Sequence, residues 1–569
     1  MEKFEEKFLV ARRRDLGEKQ LQVECVINLN GESLEKILSL NASAFLANVD
    51  VVEGEIRYSG EICTNLLYLG DESKLNNLTS SCPFNDVFKA DNVTSVDVCN
   101  NIKVVSVVPT KIQESQVVVL VTLETHFFDV SNQEFSSFNP TSPEFCVESQ
   151  VLDVVVLKDK SCQNFEVETK FNMKETVGKV LLAHSKAFVR EVKTGEGFVS
   201  VLGDVCTFIV YTNEEGNLCR SQVSETFKEE IQVGESKAEM LAQACLQVKN
   251  CDNKVVIENE NGNNAILITT PLQVCVKVFD NEQIVVSKDI YSLKNELELV
   301  RGGFTNCGVE AAKCFEGKIE GNLSLDETQP RIDKVLCVTP PTLNVSNSYF
   351  NEGEVFVEGI VTSTVIYLND DENQITSVDI EVPFVVSEKL NIEESDVFVN
   401  VDCMLYDCDV MAKRGREIYF DCKIKVCVNV CYNKTFEIIT GVIEGRAFSP
   451  KDSAIEIYFA HSASTHWEIA KELKISQEML LAQNPNLPNP LDKDERVVVY
   501  YGIDSWLLKK HVLFVLKFTT KILIAYLHKI SNSCISLLLF GFFYRNKIIK
   551  EKLNIIFNNF KNINLKFKI

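Results

Sequence analysis

The chain has 569 residues, with 58 Lys and Arg against 81 Asp and Glu, and its formal net charge is −23. This length exceeds what a single hydrophobic core holds together, and about 150 residues per domain predicts three or four domains. Hydrophobic residues make up 45% and charged residues 24%, so the composition excludes collagen, coiled coil and wholesale disorder.

The charge is divided unevenly along the chain. Residues 505–569 contain 12 Lys and Arg and one acid, Glu551, so this tail has a net charge of +11 and residues 1–504 have −34. Because residues 1–504 are so acidic, they repel phosphate backbones, and we expect no nucleic-acid partner. Basic proteins or hydrated surfaces are the expected partners.

The N-terminal segment MEKFEEKFLVARRRDLGEKQ lacks the apolar run of a secretory signal, which predicts a cytoplasmic protein. Most of the 20 scattered cysteines are therefore expected to remain thiols, with metal binding, redox chemistry or late oxidative cross-linking as alternatives. In DCKIKVCVNVCY (421–432) the alternation predicts buried even positions. Cys427, Asn429 and Cys431 are predicted to form the outer face.

Three 15-residue segments carry glycine and tyrosine at one spacing: GEIRYSGEICTNLLY (54–68), GFVSVLGDVCTFIVY (197–211) and GEVFVEGIVTSTVIY (353–367). Their alternation predicts a strand, a bend and a strand, with the second glycine at a bulge or turn and a further turn after the tyrosine. We expect these positions to shape the fold rather than to catalyse. They are Gly54, Gly60, Tyr68, Gly197, Gly203, Tyr211, Gly353, Gly359 and Tyr367.

Flanking motifs keep the same order in each copy. KILSL (36–40), KVLLA (179–183) and KVLCV (334–338) precede the segments, and PF, TF and PF at 83–84, 226–227 and 383–384 follow them. This tandem order resembles the SPOCS domain of endospore-forming Firmicutes over roughly residues 20–440. The resemblance implies three β-rich, sandwich-like repeats.

Residues 455–503 have a different pattern, which predicts strand, helix, helix and strand. Thr465 and Glu468 form a capping-box pattern before a helix, and NPNLPNP ends a second one. The segment is similar to the LysM domain, whose motif matches Tyr458, Thr465, Trp467, Ile469, Ala470, Leu480, Asn484 and Pro485. Ala463 and Ser464 replace the Gly-Asp of the family's first sugar-binding loop, and Glu495 stands near its late glycine.

These patterns predict a mainly β protein. The expected domains are SPOCS repeats at 1–150, 151–305 and 306–446, a linker at 447–454, a βααβ LysM-like domain at 455–503 and a basic, apolar tail at 504–569. For the tail, three interpretations stay open: a spurious frameshift or read-through product, a helix on a membrane surface, and a membrane span. Its longest stretch without Lys, Arg, Asp or Glu is residues 530–544, short of the roughly 20 that a spanning helix needs.

Tandem SPOCS domains followed by one LysM domain are similar to the clostridial family of spore-coat morphogenetic proteins. That resemblance implies a non-enzymatic coat-assembly scaffold at the forespore surface in the mother cell, with a stage IV sporulation protein A-like ATPase and other coat proteins as partners. The alternative is a peptidoglycan-binding protein of cortex or cell envelope that holds N-acetylglucosamine chains. In either case the expected binding residues are Ser464, Thr465, Trp467, Leu480, Leu481, Asn484, Pro485 and Asn486, although the helical spacing of Trp467 equally fits a core position.

No catalytic motif accompanies these domains. The six histidines lack GxSxG or HExxH contexts, and Gly302 and Gly303 lack the Gly-Lys of a phosphate-binding loop. His461 and His466 flank the altered LysM loop, where a partner contact or simple solvation is expected. We therefore predict no enzyme activity, no cofactor and no metal.

Overall fold

The computed structural model describes residues 5–501, apart from 53, 94–95, 97–101, 114, 261–262, 371–373, 393–396, 450 and 452–453. The predicted tail at 504–569 lies outside the described residues. The chain divides into two compact units: unit 1 is Met1–Ile290 with Leu297–Glu444, and unit 2 is Tyr291–Glu296 with Gly445–Ile569. The prediction of a mainly β protein is confirmed.

Unit 1 is built from long strands that we group in three blocks by chain order. Block 1 contains β1 (Glu5–Asn28), β2 (Lys36–Val52), β3 (Glu55–Leu69), β4 (Leu75–Lys89), β5 (Ile102–Ile112) and β6 (Gln116–Phe138). Block 2 contains β7 (Phe145–Met173), β8 (Val177–Gly195), β9 (Phe198–Asn213), β10 (Leu218–Gln232), β11 (Leu241–Val248), β12 (Lys254–Glu260) and β13 (Asn263–Ser292). Block 3 contains β14 (Asn295–Ser324), β15 (Ile332–Val338), β16 (Thr342–Asn351), β17 (Glu354–Asn369), β18 (Ile375–Lys389), β19 (Val397–Arg414) and β20 (Glu417–Ala447).

Each block pairs its strands in the same way. The middle strands form one sheet, in the orders β2-β3-β4, β8-β9-β10 and β15-β17-β16 with β18 also on β17. The first and last strands form the other, in the orders β1-β6-β5, β11-β13-β12 with β7 also on β13, and β14-β20-β19. Residues of both sheets share a hydrophobic cluster, as Ile27, Ile56 and Val119 do in block 1. Burial of this apolar surface holds the two sheets of a block together.

The three glycine-tyrosine segments are the continuous central strands β3, β9 and β17, so the predicted bend at the second glycine is wrong. The backbone irregularity lies on the neighbouring strand, where a register shift falls opposite Gly60, Gly203 and Gly359. On the other side each of these glycines pairs with the phenylalanine of the PF or TF motif: Phe84, Phe227 and Phe384. The ring fills the space beside the glycine, so the strand continues straight through it.

The first glycine of each segment lies in a turn, not within the strand. Gly54, Gly197 and Gly353 have φ values of +83°, +79° and +82°, in the turn that leads into the central strand. Only glycine adopts this left-handed conformation without a steric penalty. The predicted turn after the tyrosine is present after β3, at Asp71–Ser73, and after β9, around Gly216.

Contacts between blocks make unit 1 a single body. The segments KILSL, KVLLA and KVLCV bring Leu38, Leu181 and Cys337, one from each block, into a shared hydrophobic cluster. The buried Asn306 of block 3 accepts a hydrogen bond from Val155 N at 2.9 Å and donates to Ala11 O at 3.1 Å, which joins all three blocks. A buried amide satisfied by two other blocks fixes their mutual register, because breaking either bond leaves a desolvated polar group.

The cysteine predictions need two corrections. Cysteines such as Cys25, Cys63 and Cys206 are free, as expected for most of them, but disulfides join Cys162 to Cys275, Cys314 to Cys427 and Cys408 to Cys422. The even positions from 422 to 430 are buried as predicted, but the supposed outer face is covered too: Cys431 is buried, and Cys427 and Asn429 are half-buried. Alternation identifies two faces of a strand, but it does not tell whether a second block covers the other face.

Candidate functional site

Unit 2 contains the segment that the sequence singled out for binding. It consists of β21 (Ile455–Ala460), α1 (His466–Leu473), α2 (Gln477–Gln483) and β22 (Glu495–Tyr500), with β21 and β22 antiparallel. Thr465 caps α1 by accepting from Glu468 N, while the Glu468 carboxylate accepts from Thr465 N at 2.8 Å. This reciprocal capping box satisfies two donors of the first turn and sets where the helix begins.

The predicted site residue Trp467 belongs to the core of unit 2. It is 7% exposed, and its ring meets that of Tyr291 edge-on at 4.8 Å between centroids. The Tyr291 hydroxyl donates to Ile475 O at 2.7 Å. Tyr291 belongs to the short segment Tyr291–Glu296, so unit 2 is completed by residues distant in the sequence. An aromatic pair of this geometry stabilises packing beyond its buried area.

The loop after β21 and the loop after α2 are joined directly. Ala463 N donates to Leu491 O at 2.7 Å, and Leu491 N donates to Ser464 O at 3.0 Å. His466 N donates to Asn489 Oδ1 at 2.9 Å. These backbone groups are thus hydrogen-bonded between the two segments rather than presented to a ligand.

Asn484 is held entirely by backbone atoms. Its Oδ1 accepts from Val498 N at 3.2 Å, and its Nδ2 donates to Leu480 O at 3.1 Å and to Val498 O at 3.0 Å. The side chain therefore ties the end of α2 to β22. Because its polar atoms are hydrogen-bonded within unit 2, Asn484 has a structural role that needs no ligand.

The predicted binding residues divide into three groups by exposure. Trp467 and Leu480 are buried, and Ser464, Thr465 and Asn484 are half-buried. Leu481, Pro485 and Asn486 are exposed and follow one another around the end of α2. The structure describes all eight predicted residues. Among them, only Leu481, Pro485 and Asn486 have exposed side chains that a partner can contact.

A second surface of unit 2 was missed at the sequence level. Ile455, Ile457 and Phe459 on β21 are 54%, 53% and 70% exposed, and they lie on one face because alternate strand residues do. Opposite Ile455, Tyr500 of β22 is also exposed. We call these four residues the apolar face. The alternation in IEIYF was a usable signal, but the pattern does not tell which face stays in solvent.

The reverse side of β21 carries a charged cluster. The Lys451 ammonium lies 2.6 Å from Glu456 Oε2, and this hydrogen bond raises the pKa of Lys451 and lowers the pKa of Glu456. The same lysine lies 4.9 Å from the centre of the Tyr501 ring. These groups pair with one another, so they fix the strand edge rather than form an acid-base site.

Among the residues that the structure describes, no three His, Cys, Asp or Glu side chains are arranged to hold a metal ion. In the same part of the chain, no helix is long and apolar enough to cross a membrane. No protein-family model, curated protein or solved structure matches the chain. The site must therefore be interpreted from its own geometry.

Proposed function

We propose that the chain is a non-enzymatic scaffold of the spore coat, acting at the forespore surface within the mother cell. In this proposal the three blocks of unit 1 are SPOCS-like repeats, and unit 2 is a LysM-like adaptor that docks on a stage IV sporulation protein A-like ATPase. Other coat proteins are further partners. The proposal extends the sequence resemblance, and the apolar face of unit 2 is the observation that carries it.

The apolar face has the chemistry of a protein-binding surface. Ile457 and Phe459 stand in a row on a two-stranded sheet, where such exposure of neighbouring large apolar side chains is costly. Arg496 lies opposite Phe459 and adds a cation at one end. Aromatic residues and arginine are enriched in protein–protein interfaces, and Phe459 and Arg496 supply one of each here.

The loops favour a protein partner over a glycan. The backbone groups of Ala463, Ser464 and Leu491 are engaged with each other, and the Asn484 amide is engaged by the backbone. A sugar chain is recognised through polar groups that replace its hydration shell. The exposed Leu481, Pro485 and Asn486 extend the contact area for a protein at the end of α2.

The test is binding of the full-length chain to the purified ATPase by biolayer interferometry. Ile457→Asp and Phe459→Asp are each expected to weaken binding at least about tenfold, because a charge is desolvated at the interface. Val385→Asp is the matched control, since Val385 is a strand residue of unit 1 that is 62% exposed. Amide exchange of α1 verifies that each variant keeps unit 2 folded.

Full affinity in the Ile457→Asp, Phe459→Asp double variant would show that this face is not the docking site. Retention of the wild-type chain on purified peptidoglycan without binding to the ATPase would replace the scaffold by the glycan-binding alternative. In that event Asn486→Ala and Leu481→Ala should reduce retention, because these side chains are exposed beside the loops.

A further inference from the structure

Strand β12 (Lys254–Glu260) lies at the edge of a sheet of unit 1. It pairs with β13 and with no other strand that the structure describes. Its central residues Val255, Val256 and Ile257 are all exposed, although successive residues of a strand point to opposite faces of the sheet. An edge strand also leaves backbone N–H and C=O groups unpaired along its outer side. β12 is therefore open to another strand on both faces and along its edge.

Two other edge strands of unit 1 are interrupted where β12 is not. Like β12, β5 and β19 each pair with the last strand of their own block. β5 contains Pro109 and two register shifts, and β19 also has two register shifts. Proline removes a backbone donor and a bulge twists the strand, so both protect an edge from pairing with another chain. β12 has no proline, and its register with β13 is unbroken.

The sequence of β12 is complementary to itself. When two copies lie antiparallel about Val256, this residue meets its own copy and Val255 lies opposite Ile257. Lys254 then lies opposite Glu258 at both ends of the contact. Apolar pairs and pairs of opposite charge across neighbouring strands both stabilise a sheet. Pairing about Ile257 instead would set Val256 against Glu258, so the charges and the apolar residues favour the register about Val256.

The charged residues of β12 keep capacity for a second contact. Lys254 Nζ lies 2.9 Å from Glu166 Oε1, and Glu258 Oε2 lies 4.0 Å from Lys170 Nζ. These ion pairs are exposed to solvent, where such pairs contribute little to stability. An ammonium group has three donors and a carboxylate has two acceptor oxygens, so each group can bridge its present partner and one from another copy.

We propose that two copies of this chain associate through β12, antiparallel about a two-fold axis at Val256. The two sheets then form one continuous sheet across the dimer. Because the same surface is used by both copies, association closes at two chains. A contact through residues 254–258 is smaller than a standard protein interface, so a weak and reversible dimer with a Kd of about 10–100 µM is expected. The contact uses no residue of unit 2, so it is independent of the proposed docking on the ATPase.

The first experiment is sedimentation velocity of the full chain over about 1–300 µM, where the sedimentation coefficient should rise from that of a monomer towards that of a dimer. Val256→Lys should weaken association at least about tenfold, because two like charges then meet at the axis. Val108→Lys is the matched control, since Val108 lies on the edge strand β5 and is 50% exposed against 53% for Val256. Thermal unfolding midpoints verify that both variants are folded.

The second experiment locates the axis by cross-linking under mild oxidation with diamide. Val256→Cys should form a disulfide-linked dimer, because only the residue on a two-fold axis meets its own copy. Val108→Cys and the wild-type chain are the controls for collision and for the native thiols. Val255→Cys and Ile257→Cys should cross-link when they are mixed, and neither should do so alone.

A chain that stays monomeric over the whole concentration range would overturn the proposal, as would a dimer that Val256→Lys leaves unchanged. Equal cross-linking of Val256→Cys and Val108→Cys would show random collision and would also overturn it. If Val256→Lys does not fold, the cross-linking decides alone, because cysteine is a small replacement for an exposed valine.

Discussion

Gly60 lies directly opposite Phe84 in the β3–β4 pair, and the phenyl ring occupies the space where a side chain of residue 60 would stand. A Cβ at Gly60 would lie 2.0 Å from Phe45 O and 2.7 Å from Phe84 Cζ. The glycine is thus required by the close approach of a backbone carbonyl, and the phenylalanine covers the strand where the glycine leaves it bare. The equivalent pairs in the other two blocks have the same geometry.

Gly60→Ala should therefore destabilise unit 1 by about 1–3 kcal/mol, because the methyl group overlaps backbone that cannot move independently. The measurement is the thermal unfolding midpoint. Gly31→Ala is the control: Gly31 has φ +86° with open space around it, so alanine there costs only about 1 kcal/mol of backbone strain. Equal losses in the two variants would show that the carbonyl contact is not limiting.

Asp204→Asn should destabilise the junction of blocks 2 and 3. Asp204 is 2% exposed, and its carboxylate lies 2.8 Å from Lys425 Nζ and 3.1 Å from Arg190 Nη1 and accepts from the Thr226 hydroxyl at 2.8 Å. Removal of this buried carboxylate charge costs about 2–3 kcal/mol, because Lys425 and Arg190 both lose the charge that pairs with them. Urea denaturation at pH 7 measures the loss, and Asp71→Asn, at an exposed turn, is the control.

The same carboxylate predicts a pH dependence. Burial would raise the pKa of Asp204, but hydrogen bonds from Lys425, Thr226 and Arg190 outweigh it and lower the pKa below 3.8. A lowered pKa in the folded state stabilises the fold above the unfolded-state pKa, and this contribution disappears as the pH falls through the folded-state pKa. The stability difference between wild type and Asp204→Asn should hence shrink below about pH 4. A difference independent of pH down to 2 would contradict this account.

Asn484→Ala should loosen the end of α2 more than Asn486→Ala does. The first substitution removes three hydrogen bonds to backbone and leaves Val498 N and O without their partner, a loss of about 1–3 kcal/mol. The second removes an exposed side chain. Amide exchange of β22 should accelerate in Asn484→Ala only, and faster exchange in both variants would show that the loop as a whole, not the asparagine clamp, holds the strand.

Non-reducing peptide maps of air-oxidised protein should contain Cys162 joined to Cys275 and Cys314 joined to Cys427. Each pair links the first strand of a block to its last at a sequence separation of 113, so the two bridges occupy corresponding places in blocks 2 and 3. Cys206 is the internal control, because it is buried and unpaired and should appear as a thiol after unfolding. Peptides in which Cys162 is alkylated while Cys206 is cross-linked would contradict the pairing.

Much of the local structure could be predicted from the sequence. The alternating residues of β9 and β20 indicated strands, and the Thr465–Glu468 capping box indicated where α1 begins. These features depend on neighbours within a few residues, so the chain specifies them wherever it folds. The SPOCS and LysM resemblances, and the functions they imply, stay predictions.

The tertiary structure decided what local pattern leaves open. It covered the second face of β20, paired cysteines more than 100 residues apart, and placed Trp467 against Tyr291 in the core of unit 2. It also left the side chains of Ile455, Ile457 and Phe459 in solvent. The period of a strand divides its residues into two faces, but only packing against distant segments determines which face loses its water, and with it where a ligand or partner can bind.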